Sequence, residues 1–320
     1  MRFLAFLLAL VLVSLLTVSS LVVGSNSIGI MQLLADPAAW DLLILSRIPR
    51  TVALLLCGMA MSVCGLIMQM LTQNRYVEPA TAGAVQSAGL GILIITILWP
   101  AAPVLARMGF ASFFSLLGTG LFLLILQRLS LRATLIVPLV GIMLGAVISA
   151  VTVFIAVRFD LLQSLAAWTS GDFSGVMKGR YELLWLVGAL TLLTYFVADR
   201  FAVAGMGREF AVNLGLNYRR VMLLGMSIVA IVSGVVVVVI GALPFLGLIV
   251  PNIVSLILGD NVRRNIPWIA LLGGGIVVAC DLTGRLLVHP FEIPAGSILG
   301  VIGAVVFLFV ILREQIYVRS

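Results

Sequence analysis

Residues 3–23 run for 21 positions without one charged side chain, and apolar blocks of this kind recur along the whole chain. A helix crosses the roughly 30 Å hydrocarbon layer with about 20 such residues. Lipid offers the backbone no hydrogen bonds, so each block has to satisfy its own as a helix. The candidate spans are 3–23, 52–71, 80–99, 110–126, 135–157, 183–198, 221–243, 245–258, 268–287 and 298–312, ten in all. The eighth is short, carries Pro251 and has Pro244 at its entrance, which makes it the least secure crossing. The first could be a secretory signal, but its apolar run exceeds the roughly 7–15 residues of a signal core, and a retained span is the expectation. The prediction is an all-α, polytopic membrane protein forming one domain over 1–320.

Composition agrees. The chain is 62% hydrophobic and 10% charged, where globular domains run at about 45–50% and 25%. Mean hydropathy is +1.27. These values exclude a soluble enzyme, a disordered tail and a disulfide-stapled secreted module. The net charge of +7 does not indicate nucleic acid, because Lys178 is the one lysine and the arginines stand singly or in pairs between apolar blocks. A phosphate-tracking face needs clustered basic residues.

Basic residues also orient the spans. With the N-terminus inside, twelve of the nineteen Lys and Arg fall on the cytoplasmic side and seven outside, so both termini are predicted to be cytoplasmic. Thirty-one glycines suit close helix contacts, since packing rather than hydrophobic force holds helices together in lipid. Gly141/Gly145 and Gly296/Gly300 have small-xxx-small spacing, read either as subunit contact or as packing within the chain.

Reactive chemistry is sparse. His289 is the one histidine, and a lone imidazole makes no zinc or haem-copper site. Cys57, Cys64 and Cys280 form neither a disulfide framework nor a CxxC pair. The twelve acids lie almost all in loops or at span ends; Asp281 is the deepest, with Arg285 one turn away. There is no GxxxxGK(S/T) loop to cradle a nucleotide. Uphill transport would therefore draw its energy from another polypeptide.

Two features suit partners. The connection 199–220 is the longest on the predicted cytoplasmic side, and within it 209–215 reads as a short amphipathic helix closed by a glycine cap. Phe210 and Leu214 share a face there, either as a knob for a partner's cleft or lying on the protein's own surface. On the predicted outer side Arg47, Arg50 and Arg285 work against the charge bias. They could attract an acidic partner, or snorkel to headgroups, or pair with Asp36, Asp41 or Asp281.

Several stretches then coincide with one pattern. Arg47-Ile48-Pro49-Arg50, followed by Gly58, Gly65, Gln69 and Asn74-Arg75-Tyr76-Val77-Glu78-Pro79, resembles the opening of the FecCD family, the permease subunits of ABC importers for iron-siderophore, haem and cobalamin. Residues 209–215 resemble its ATPase-coupling segment, 241–252 its most specific signature, and Cys280-Asp281 through Gly296 its closing motif. Departures are Arg75 where a proline is usual, Asn252 and Ser255 in place of a histidine and an arginine, and Val212 where arginine is common.

The resemblance implies a type II ABC importer permease fold with ten helices per subunit. It implies a second permease subunit, identical or paralogous, and two cytoplasmic ATPases that use ATP and Mg2+. An extracytoplasmic substrate-binding protein would deliver the cargo, and membrane lipid would surround a bacterial cytoplasmic-membrane subunit that binds no cofactor and catalyses nothing itself. The chain is most similar to ferric-siderophore permeases, with haem or cobalamin as the alternative cargo. By resemblance, Arg47, Arg50 and Arg285 receive acids of the binding protein, while Glu209, Ala211, Leu214 and Gly215 couple to the ATPase. Asn74 and Tyr76 fall at the cytoplasmic narrowing of the pathway, and Trp168 lies in a short outer helix beside it. The rivals are a proton-coupled secondary transporter, which would need intramembrane carboxylates, and an intramembrane lipid enzyme, which would need a clustered His, Asp or Ser set.

Overall fold

The computed structural model describes residues 2–23, 37–128, 136–179, 181–288 and 291–319. His289 and Asp36 lie outside them. The described residues are nearly all helical: α1 Arg2–Val22, α2 Pro37–Leu42, α3 Ile48–Thr72, α4 Ala84–Leu98, α5 Val104–Arg128, α6 Ile136–Arg158, α7 Leu162–Thr169, α8 Leu184–Phe196, α9 Ala198–Gly205, α10 Arg208–Asn213, α11 Tyr218–Val239, α12 Leu246–Leu258, α13 Val262–Leu287 and α14 Ala295–Arg319.

Each of the ten apolar blocks becomes a helix. Among the described residues, six elements are long and apolar enough to cross a membrane outright. Helices α8 and α9 are apolar enough only as a pair, bent by 65° between them, as in a broken span or a re-entrant loop. The apolar helices Ala84–Leu98, Leu246–Leu258 and Ala295–Phe309 are shorter. At 1.5 Å per residue, the 13 residues of α12 reach about 20 Å, short of the bilayer. Non-helical backbone at its start is tolerated because it is buried in protein rather than lipid.

The core is organised on α3, which packs against α8, α11, α12 and α13; α4, α5 and α11 form a second group joined to it through α11. Close approach needs the glycines of α3. A Cβ on Gly65 would fall 1.9 Å from the Gly247 carbonyl oxygen of α12, and one on Gly58 would fall 2.5 Å from that of Gly273 in α13. Seven residues apart, Gly58 and Gly65 lie on one face, so a single stripe admits two neighbours. The small-xxx-small pairs also pack within the chain, Gly141 against Thr81 and Gly296 against Ser170 and Gly171.

Two prolines shape the helices that matter most. Pro49 has no N–H to give the Leu45 carbonyl. The chain enters α3 through a π-helical turn, Leu43–Arg47, and the Lys178 backbone N–H donates to the Leu45 oxygen at 3.0 Å instead. In α12, Pro251 leaves the Gly247 carbonyl without its helical donor; Gln69 of α3 supplies a side-chain N–H at 3.4 Å.

Helices α1 and α6 leave most of their apolar residues on the surface, with 11% and 22% of their spanning windows buried. Apolar surface of that extent is covered by lipid or by another subunit.

Candidate functional site

The three arginines come together where α1 ends and α3 begins. The last four carbonyls of a helix have no partner within it. In α1 the Ser19 carbonyl takes the Val23 N–H at 2.9 Å, and arginine meets the rest: Arg47 donates to Leu21 O at 2.8 Å and Val22 O at 2.6 Å. Arg285 donates to Ser20 O at 3.0 Å and Val23 O at 2.8 Å. Arg285 also pairs with Asp281 one turn earlier on α13. Arg50 reaches the other oxygen of Asp281 at 2.7 Å and Glu292 at 2.8 Å.

This differs from an open docking patch. Arg47 is 7% exposed and Arg285 5%, and the Arg50 side chain 12%. The partners are carbonyls of α1 together with Asp281 and Glu292, so internal pairing accounts for the arginines that the charge bias leaves unexplained. A buried guanidinium has to be hydrogen-bonded and neutralised where it stands. Among the described residues, Glu292, whose side chain is 26% exposed, is the acid of the cluster that a partner could reach.

At the opposite end of α3, the connection 199–220 holds two short helices rather than one. α9 packs on α3 and α13, and Arg263 ties it down through Asp199 at 2.8 Å. α10 follows. Its end is a Schellman motif: Gly215 has φ +78°, its N–H reaches Val212 O at 2.9 Å, and the Leu216 N–H reaches Ala211 O at 3.0 Å. The cap fixes which side chains point outward. Ala211 is fully buried, whereas Phe210 is 49% exposed and Leu214 61%. Glu209 and Gly215 are also exposed. Of the two alternatives, the apolar pair faces away from the protein.

Between these ends runs the non-helical connection from Gln73 to Gly83. Gln73 ends α3 with φ +50°. Asn74 and Tyr76 are both buried, with the Tyr76 N–H bonded to Asn74 Oδ1 at 2.9 Å. The Tyr76 ring meets Phe307 of α14 edge-on, centroids 6.1 Å apart. A cavity of about 230 Å³ opens beside them, lined by Gln69, Gln73, Asn74, Asn252 and Asn265 among others. Asn74 thus sits at a polar opening, and Tyr76 packs behind it.

Trp168, on the last turn of α7, is half-buried and packs on apolar clusters from α4, α5 and α11. Just beyond it Ser170 bridges Gly241, and the Gly296 N–H donates to Gly171 O at 3.0 Å. α7 is therefore anchored to the turn before α12 and to the start of α14.

The burial of one acid in the 74–79 stretch was not legible in the sequence. Glu78 is 2% exposed, and its carboxylate accepts the Phe245 backbone N–H at 2.8 Å across 167 residues. As one acid in a connection it carries no periodic signal; only the Glu-Pro step before a helix marks it.

Residues 6–313 match the FecCD transport family. The chain belongs to that family. This FecCD chain is 44% identical over 310 residues to the petrobactin import system permease protein FatD of Bacillus anthracis, covering 97% of this chain and 91% of that protein. It is also 44% identical over 309 residues to the petrobactin import system permease protein YclN of Bacillus subtilis, covering 96% and 98%. Among solved structures, it superposes with a TM-score of 0.81 and 20% identity on a provisionally assigned metal-chelate type ABC transporter in an inward-facing conformation, over 95% of this chain and 97% of that one. That likeness shows the fold alone; the family and the apolar helices make the chain a multi-pass membrane protein.

Proposed function

We propose that this chain is the permease subunit of an ATP-driven importer that carries a ferric siderophore across the cytoplasmic membrane. The observation that carries the coupling reading is α10: a capped helix on the longest connection of the predicted cytoplasmic side, with Phe210 and Leu214 turned outward and Ala211 turned in. An apolar pair on a rigid, glycine-closed turn is a knob for a cleft in a partner. The siderophore as cargo rests on the petrobactin permeases to which the chain is 44% identical.

In this reading two cytoplasmic ATPases bind ATP and Mg2+ and close on α10 of each of two permease subunits. The displacement rocks the helices between outward- and inward-open arrangements, a two-state change biased by nucleotide. The chain itself catalyses nothing and binds no cofactor. An extracytoplasmic binding protein docks at the Arg50–Glu292 end, and both termini are cytoplasmic. Asn74 and Tyr76 shape the exit beside the polar cavity, while Trp168 flanks the pathway at the other end.

A carrier working alone on a proton gradient is the rival, and it would use a buried carboxylate. Glu78 and Asp281 are the candidates, but each is engaged: Glu78 by the backbone of α12, Asp281 by two arginines. The test is uptake of 55Fe-petrobactin by bacteria lacking their own permease but supplied with this chain, with and without a Walker-lysine variant of the partner ATPase. ATP-dependent uptake supports the reading, and uptake indifferent to the ATPase variant overturns it.

A further inference from the structure

The connection between α3 and α4 is clamped to α12 at two places. At the start of α12, Glu78 accepts the Phe245 N–H at 2.8 Å, and a Cβ on Gly247 would fall 3.3 Å from the same carboxylate. The first N–H groups of a helix have no partner within it, so one acid from another segment serves as the cap of a helix that begins inside the protein. Phe245 itself is left-handed, with φ +63°. Seven residues further along α12, Asn252 donates to Arg75 O at 2.8 Å while also bonding Leu248 O at 2.8 Å. The rings of Tyr76 and Phe245 both meet Phe307, at 6.1 and 6.2 Å.

The other end of the connection touches the outward-facing corner. A Cβ on Gly207, the residue before α10, would lie 3.6 Å from the Gln73 side chain. The 73–78 segment therefore lies between the α10 corner and the start of α12.

We propose that Glu78 is a positioning residue for transport, pinning the 74–78 connection to α12 so that the two move as one body when α10 is displaced. The proposal rests on the permease reading above. It means that Asn74 and Tyr76 do not swing as a separate flap: the polar cavity opens only by moving α12 with them. Asn252 is the second pin, which keeps the segment parallel to the helix rather than hinged at one point.

The test uses the full complex of two permeases, two ATPases and the binding protein in liposomes. Spin labels go on Cys introduced at Arg75 and Ile257, both exposed, and the native cysteines are buried and stay unlabelled. The label distance should stay constant between nucleotide-free and ATP-trapped states, while a reference pair across the two permeases changes. Glu78→Ala leaves the Phe245 N–H unpaired, and should broaden the distance and cut uptake about tenfold at unchanged ATPase rate. Glu78→Gln, whose side-chain oxygen still accepts, should restore a single distance and most of the uptake. A wild-type distance that shifts between states, or full transport by Glu78→Ala, would overturn the pin. Should Glu78→Ala fail to fold, the wild-type distance alone decides. A wild-type complex without ATP-driven uptake would instead refute the permease reading, and the label distance would still be readable.

Discussion

Arg50 Nη2 lies 2.7 Å from Asp281 Oδ1 and joins the first turn of α3 to α13 across 231 residues of sequence. Asp281 also holds Arg285, whose remaining donors close the end of α1. One carboxylate thus pairs with two buried guanidiniums, Glu292 adding a second acid to Arg50, and three helices meet at it. Removing one partner of such a group leaves an uncompensated buried charge, which typically costs about 3–5 kcal/mol. Asp281→Asn, which preserves shape but not charge, should sharply lower both folded yield and the thermal midpoint in detergent. A midpoint within a degree or two of wild type would show that the arginines are neutralised some other way.

Glu292 occupies a different position in the same cluster. Being partly exposed, it should contribute only about 0–1 kcal/mol to stability, so Glu292→Gln should barely shift the melting curve. If Arg50 receives an acid of a docking protein, Glu292 competes for it. The variant should then bind that protein a few-fold more tightly in surface plasmon resonance, with the gain fading at high salt. An unchanged Kd would remove Arg50 from the docking surface.

Leu214 is exposed and touches little of its own chain. Leu214→Asp should leave the melting curve where it is and uncouple the complex, reducing uptake about tenfold or more, as loss of an interface anchor does. Ala211→Leu is the complementary case. Ala211 is fully buried, so the added atoms overpack and should cost about 1–3 kcal/mol in stability. Equal behaviour of the two variants in both assays would refute the inward and outward division of α10.

Gly65 faces the Gly247 backbone with no room for a methyl group, since its Cβ would meet a carbonyl oxygen at 1.9 Å. Gly65→Val should separate α3 from α12 and leave almost no folded protein on size-exclusion chromatography. Gly215→Ala should be far milder, about 1 kcal/mol, because only the left-handed backbone at φ +78° opposes it. A folded, monodisperse Gly65→Val protein would contradict the close packing of these helices.

The spans were legible in the sequence because each is a property of some twenty consecutive residues, and all ten blocks are helical in the structure. What escaped were properties of distant pairs. Nothing in 199–220 distinguished α9 from loop, because its helix continues α8 around a 65° bend rather than announcing itself with a cap. The existence and cap of α10 were legible, since Gly215 and the spacing of Phe210 and Leu214 are local; which way that face points was not, because it depends on what Ala211 packs against. Nor was the burial of Glu78, for its partner is a backbone N–H far along the chain and every residue has one. The arginines fell between these cases. Asp281 and Arg285, four apart on one helix, were visible as a pair. That Arg47 and Arg285 close the end of α1 depends on where three helices meet.

The central claim is that this chain is a conduit driven by separate ATPases. Reconstituting it in proteoliposomes with and without its ATPase and binding protein tests this most directly, with 55Fe-petrobactin accumulation as the readout. Accumulation should require ATP, the ATPase and the binding protein together, and a proton or sodium gradient across liposomes holding the permease alone should give none. Accumulation by the permease alone on an ion gradient would contradict the account.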